Sequence, residues 1–131
     1  MNLNLPQQLI GTWTLEAFEI ESPDGTVKPW GQNTHGLLIY TNTGHLSVSI
    51  NRDVVQKSEN EFEKLFDSIL FYSGTYKIEN NVIRHQVTEA SNPNRIGKEM
   101  IRYAEIKEDI VTLTTPKESF GIARLIWKKM K

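Results

Sequence analysis

A chain of 131 residues is the size of one domain with a single core, and we expect residues 1–131 to form one domain. The 15 Lys and Arg residues nearly balance the 16 Asp and Glu residues, so no basic surface for nucleic acid or for an anionic membrane is predicted. The absence of cysteine excludes disulfides, thiolate metal sites and cysteine nucleophiles.

The segment Met1–Pro6 lacks the basic start and apolar run of a secretory signal. No apolar run approaches the ~20 residues that a membrane-spanning helix needs. We therefore expect a soluble, cytoplasmic protein without a membrane span. A monomer and a homodimer are both compatible with the sequence. Phosphate-binding glycine loops and nucleophile elbows do not occur in the sequence, and no cofactor is expected.

The first predicted strand is Gly11–Glu21, which begins with the motif Gly-x-Trp. Its glycine allows a sharp bend into the strand, because it has no Cβ to clash. The apolar alternation slips between Leu15 and Phe18, so a β-bulge is predicted near Glu16-Ala17. We expect Trp13 to fill the closed end of a small β-structure.

Turn residues follow at Ser22–Gly25. Residues 26–34 have no clear period and are interpreted as an ordered loop, with Trp30 as a packing anchor or part of a lid. Residues 35–40 and 45–50 then alternate as two strands around a four-residue hairpin loop.

A register in which Tyr40 opposes His45 would fix the two faces of this hairpin. The predicted core face then comprises Leu37, Ile39, Leu46, Val48 and Ile50. The face with Tyr40 is a solvated face or a polar cavity wall. His35 and His45 would lie on opposite faces, and no metal site is predicted.

The only helix that the sequence predicts is Ser58–Phe71, between the third and fourth strands. Ser58 and Glu61 match a capping box. An apolar stripe at helical spacing follows, formed by Phe62, Leu65, Phe66 and Ile69. This stripe would pack on the core or cap the open end of a barrel.

Residues 72–79 and 82–89 form the best-defined predicted hairpin, joined by Asn80-Asn81. In this register Tyr76 opposes His85 and Tyr72 opposes Glu89, with all four side chains on the inner face.

Two further segments complete the predicted sheet. A hairpin of residues 98–106 and 110–115 places Arg102 on the apolar face. The last strand, Ile122–Lys129, has Trp127 on one face and Arg124 on the other. Eight strands with short links predict an all-β, antiparallel up-and-down barrel with one α-helix between strands 3 and 4.

An ordered series of short motifs spans nearly the whole chain. It comprises Leu9–Trp13, Asp24-Gly25, Gly36–Thr41, Tyr72–Tyr76, Ser91–Gly97, Arg102-Tyr103 and Leu113–Pro116. This series resembles the bacterial lipocalin-like domain family. The resemblance implies a calycin-type barrel with a central cavity. It also implies that Gly11 and Trp13 are structural and that Arg124 of the last strand stacks on Trp13 by a cation–π contact.

The candidate ligand-binding residues are Tyr40, Tyr72, Tyr76, His85 and Arg102, with the helix 58–71 and the Trp30 loop near the cavity mouth. An arginine that faces a core needs an acceptor, which could be Glu89, a backbone carbonyl or a ligand carboxylate. A polar network satisfied within the protein is an equal alternative.

The leading functional hypothesis is binding of a small, mostly apolar molecule that bears an anionic or hydrogen-bonding group. One alternative is a cofactor-independent isomerase, cyclase or hydrolase in which His85 or Tyr76 acts as an acid or base. A third hypothesis is an interaction module whose barrel is filled by its own side chains.

Overall fold

The computed structural model describes residues 5–53 and 69–131, which contain one short α-helix and nine strands. The elements are α1 (Leu5–Leu9), β1 (Gly11–Glu21), β2 (Val27–Pro29), β3 (His35–Tyr40), β4 (His45–Asn51), β5 (Ile69–Glu79), β6 (Val82–Ala90), β7 (Glu99–Lys107), β8 (Ile110–Thr114) and β9 (Ile122–Lys129), with a 3-10 helix at Pro93–Arg95 between β6 and β7. Within the described ranges, none of the helices is long and apolar enough to cross a membrane.

The strands form one antiparallel sheet that closes on itself. Strands β1 and β3 to β9 pair in chain order, and β1 also pairs with β9. The pairing of β1 with β9 shifts register between Leu15 and Ala17, which confirms the predicted bulge. Closure leaves the eight barrel strands without a free edge, and the predicted up-and-down barrel is confirmed.

Two short elements were not expected from the sequence. The sequence predicts a loop over residues 26–34, but Val27–Pro29 pairs with Glu19–Glu21 as β2. Helix α1 precedes β1. Both elements are too short to give a periodic pattern of apolar residues.

Most of the predicted helix 58–71 lies outside the described residues, since positions 54–68 are not described. Its last three residues were assigned wrongly, because Ile69–Phe71 belong to β5 and pair with Ser49–Asn51 of β4. Ile69 matched the helical spacing of the stripe, but the backbone there continues the β4–β5 ladder.

The predicted register of the β3–β4 hairpin was wrong by one residue. Tyr40 lies opposite Leu46, because Thr41 and His45 still pair through a 2.9 Å hydrogen bond from the Thr41 N–H to the His45 carbonyl. The loop is therefore three residues, and Gly44 adopts the positive φ of 84° that closes such a loop. The buried face comprises Leu38, Tyr40, Leu46, Val48 and Ile50.

The same shift changes the outer face of the hairpin. Leu37, predicted to lie in the core, is 39% exposed. His35 and His45 are both exposed and share the outer face, rather than lying on opposite faces as predicted. A slip of one residue reverses every side chain of a strand, which explains both corrections.

The predicted β5–β6 register holds up to Gly74 and then shifts. Ile78 faces Ile83 and Tyr76 faces His85, but Ser73 rather than Tyr72 faces Glu89.

The shift directs Glu89 to the surface, where its carboxylate accepts a 2.5 Å hydrogen bond from the Ser73 hydroxyl. The inward placement of Glu89 was therefore wrong, and Glu89 is not the acceptor for Arg102.

Gly74 permits this close approach of β5 and β6. A Cβ at Gly74 would lie 1.9 Å from the carbonyl oxygen of Gln86 and 3.2 Å from the Thr88 nitrogen. Thr88 is the extra residue on β6 between the Gly74–Val87 and Ser73–Glu89 pairs. The bulge therefore requires glycine at position 74, because any side chain there would clash with the backbone of β6.

Helix α1 and Trp13 close one end of the barrel. Trp13 and Leu9 have no exposed surface, and the Trp13 indole N–H donates a 2.9 Å hydrogen bond to the Leu9 carbonyl. The Lys129 ammonium lies 5.4 Å from the centre of the Trp13 ring and donates to the Gln8 carbonyl at 2.8 Å. Two carbonyls at the end of α1 are thereby satisfied.

Lys129, not Arg124, is the basic residue at Trp13. Arg124 lies on the outer face of β9, with its guanidinium 3.8 Å from the Glu21 carboxylate. The parity of the strand explains the difference, because Lys129 shares a face with Trp127 and Arg124 does not. Gly11 provides room for this contact, since a Cβ there would lie 2.9 Å from Lys129 Cε.

The variant Lys129→Met is expected to lower the free energy of unfolding by about 1 kcal/mol, because it removes the ammonium but keeps an apolar stem. The matched variant Arg124→Met should change it by less than ~0.5 kcal/mol, since its ion pair lies at the surface. Urea unfolding of both variants measures the difference. A larger loss for Arg124→Met would contradict the assignment.

Candidate functional site

A cavity of about 470 Å³ occupies the barrel interior. It reaches the surface beside Phe120, which lines it and is 49% exposed. Most of its wall is apolar, formed by Phe18, Ile20, Trp30, Leu38, Val48, Ile50, Leu70, Met100, Leu113, Phe120, Ala123, Leu125 and Trp127. Its polar lining residues are Tyr72, His85, Arg95, Arg102, Thr115 and Glu118.

The wall near Phe18 is held by a stack of three side chains. The rings of Trp30 and Phe18 are parallel within 7°, with centroids 4.8 Å apart. The Arg52 guanidinium lies 4.0 Å from the centre of the Trp30 ring and donates a 2.7 Å hydrogen bond to the Trp30 carbonyl. The prediction of Trp30 as a packing anchor is confirmed.

Three of the predicted site residues meet at the cavity on adjacent strands. Tyr72 is on β5, His85 on β6 and Arg102 on β7, each with its side chain on the inner face. Alternation along β6 and β7 places them there, because His85 lies between the buried Ile83 and Val87.

Both ring nitrogens of His85 bind tyrosine hydroxyls. The Tyr40 hydroxyl lies 2.6 Å from Nε2 and the Tyr72 hydroxyl 2.7 Å from Nδ1. Burial lowers the pKa of His85 to about 3, and the positive charge of Arg102 acts in the same direction. The ring is therefore neutral at physiological pH and is a poor general base.

Two of the predicted residues do not line the cavity. Tyr40 lies behind His85 and is 1% exposed. Tyr76 opposes His85 across the ladder, but its hydroxyl donates to the Thr41 carbonyl at 2.7 Å. His85 therefore hydrogen-bonds Tyr40 and Tyr72, and not Tyr76, which lies opposite it in the ladder as predicted.

Arg95 is a cavity residue that the sequence did not reveal. The Asn92 side chain accepts a 3.0 Å hydrogen bond from the Asn94 N–H and starts the 3-10 helix that turns Arg95 inward. Burial lowers the pKa of Arg95; the nearby Tyr72 raises it and the charge of Arg102 lowers it further. The dipeptide Asn92-Pro93 predicts a turn, but it does not predict that the turn directs the Arg95 side chain into the cavity.

The two cavity arginines share one electrostatic feature. In the described ranges, neither Arg95 nor Arg102 has a carboxylate within the 4.0 Å of an ion pair; the three such pairs belong to Arg84 and Arg124. Arg102 donates a 2.8 Å hydrogen bond to the Ile101 carbonyl, which is neutral. Two positive charges therefore face a mostly apolar cavity without an ion-pair partner from this part of the chain, although the Glu118 carboxylate also belongs to the lining.

Solved structures with the same architecture are very different in sequence. A lipocalin-like protein from Bacteroides uniformis is 14% identical, with a TM-score of 0.53 over 94% of this chain and 99% of that chain. A redesigned β-barrel is 7% identical, with a TM-score of 0.53 over 98% of this chain and 100% of that chain. These similarities concern the fold alone.

The comparison with curated proteins gave no match. The family model of the lipocalin-like domain matches residues 10–130, which include all nine strands of the sheet. The chain therefore belongs to the lipocalin-like domain family.

Proposed function

We propose that the barrel binds one small, mostly apolar molecule whose anionic group lies beside Arg95 and Arg102. One observation carries this proposal: two arginines face an apolar cavity, and no carboxylate of residues 5–53 or 69–131 pairs with either. A carboxylate or a similar anion on the ligand would supply the missing charge and accept guanidinium hydrogen bonds.

The size and lining of the cavity support the apolar part of the ligand. A volume of about 470 Å³ lies within the ~300–1,000 Å³ of typical small-molecule sites. Apolar contact contributes about 25 cal/mol per Å² of buried surface, so the hydrocarbon body would supply much of the affinity. The arginines would then select the head group and fix its orientation.

The other two hypotheses have less support. A barrel filled by its own side chains is difficult to reconcile with a cavity of this volume. The enzyme hypothesis relies on His85 or Tyr76 as the acid or base, but the pKa of His85 is about 3 and the Tyr76 hydroxyl is bound to the Thr41 carbonyl. The binding function therefore fits the polar groups best.

The test is displacement of anilinonaphthalene sulfonate from the purified chain by dodecanoate and by dodecanol. We expect one-to-one binding and at least a ~10-fold preference for dodecanoate, because only the carboxylate compensates the arginine charges. Equal affinity for acid and alcohol would contradict the anionic part of the proposal. Failure of both to bind would contradict the proposed ligand class.

A further inference from the structure

His85 is the centre of a chain of three buried side chains. The hydroxyls of Tyr40 and Tyr72 lie 2.6 Å and 2.7 Å from its Nε2 and Nδ1. Because the ring is 1% exposed and its pKa is about 3, it is neutral and carries a single N–H. One nitrogen must donate and the other must accept.

Two proton arrangements satisfy the ring. In the first, Nε2–H donates to Tyr40, and the Tyr40 hydroxyl proton then needs another acceptor. Among the residues that the structure describes, His85 is the only side chain or carbonyl bonded to that hydroxyl, and Tyr40 is 1% exposed. In the second, Tyr40 donates to Nε2 and Nδ1–H donates to Tyr72. A buried hydroxyl without an acceptor is unfavourable, so the second arrangement is preferred.

Tyr72 is the end of this chain that lines the cavity. In the preferred arrangement its oxygen accepts from His85, and its own proton can be donated to water or a ligand in the cavity that Tyr72 lines and Tyr40 does not. Burial raises the pKa of the Tyr72 phenol while the charge of Arg102 opposes the rise, so the hydroxyl stays protonated. Arg102 cannot take this proton, because a guanidinium has no acceptor.

We propose that the Tyr40–His85–Tyr72 chain fixes the Tyr72 hydroxyl as a hydrogen-bond donor to the anionic group of the ligand. Tyr72 is thereby a specificity-determining residue, and Tyr40 and His85 position its proton without touching the ligand. This inference rests on the proposed function for the nature of the ligand. The order of the protons is a property of the ligand-free protein and is measured separately.

Proton–nitrogen NMR correlation spectra of the isotope-labelled chain test the order of the protons. The variant His85→Gln identifies the His85 signals among those of the three histidines. We expect the His85 proton on Nδ1 and an unprotonated Nε2. A proton on Nε2 would overturn the proposal, whether or not any ligand binds.

Affinity measurements with dodecanoate test the contact with the ligand. Tyr72→Phe should weaken binding by about tenfold, since it removes a hydrogen bond to a charged group. Tyr40→Phe should weaken it by about threefold, because Nδ1 can then accept the Tyr72 proton that the ligand needs. Tyr76→Phe is the matched control: its ring packs 4.9 Å from that of Tyr40 but its hydroxyl donates to Thr41, and the affinity should not change.

The outcomes separate this inference from the proposed function. Unchanged affinity in Tyr72→Phe would overturn the ligand contact while leaving the binding function intact. A failure of the natural protein to bind dodecanoate would overturn the proposed function and the contact together. If Tyr40→Phe does not fold, the tautomer measured in the natural protein still decides the order of the protons.

Discussion

The double variant Arg95→Gln/Arg102→Gln is expected to lose about a hundredfold of its affinity for dodecanoate and almost none of its affinity for dodecanol. Hydrogen bonds to charged groups contribute about 1.5–3 kcal/mol each, so two of them account for a loss of this size. The alcohol carries no charge and depends mainly on the apolar wall. Displacement of anilinonaphthalene sulfonate measures both ligands, after direct titration has shown that the variant still binds the probe.

The control is Arg84→Gln, which removes a positive charge from the outer face of β6. Arg84 is paired with Glu99 at 2.8 Å and does not line the cavity. Its affinity for dodecanoate should equal that of the natural protein. An equal loss for acid and alcohol in the double variant would show that the arginines shape the cavity rather than bind the anion.

The double variant should also be at least as stable as the natural protein in the absence of ligand. Arg95 and Arg102 are partly buried and have no carboxylate partner among the described residues. Removal of partly buried charges without a partner relieves a desolvation cost. If the double variant is at least as stable as the natural protein but binds dodecanoate more weakly, the two arginines serve binding rather than the stability of the fold.

Trp13→Ala is expected to lower the free energy of unfolding by about 3–5 kcal/mol, because it empties the closed end of the barrel. The indole has no exposed surface, and its N–H satisfies the last carbonyl of α1. Trp30→Ala is the comparison, since Trp30 is half-buried and stacks on one neighbouring ring. Urea unfolding should show the smaller loss for Trp30→Ala, and equal losses would contradict the central role of Trp13.

The alternation of apolar residues predicted most of the barrel strands, because each has one face in the interior. It also placed Arg102 correctly on the inner face of β7. Turn conformation could not be obtained from the same pattern. A three-residue and a four-residue loop fit Thr41–Gly44 equally well, and the positive φ of Gly44 decides between them. That single residue reversed the faces of β3, while Leu46, Val48 and Ile50 of β4 lie in the core as predicted.

The sequence predicted the residues whose position follows from alternation along a strand. It did not predict the residue that a loop positions, and the family resemblance suggested the wrong partner for Trp13. Tyr72 and His85 follow from parity, whereas Arg95 is placed by a 3-10 helix that has no periodic signal. The alternation along β9 already indicated the partner of Trp13, because it places Lys129 on the same face as Trp127 and Arg124 on the opposite face. The family resemblance favoured Arg124, and the strand geometry placed Lys129 there.

The contact between β1 and β9 has a consequence for how the protein folds. These strands close the barrel, yet their paired residues, such as Trp13 and Lys129, are far apart in sequence. The entropy of closing so long a loop must be overcome before this pairing becomes favourable, whereas each hairpin can form locally. Barrel closure should therefore be a late and slow event. Until β9 arrives, β1 and β8 each present an unpaired edge that can associate with other chains.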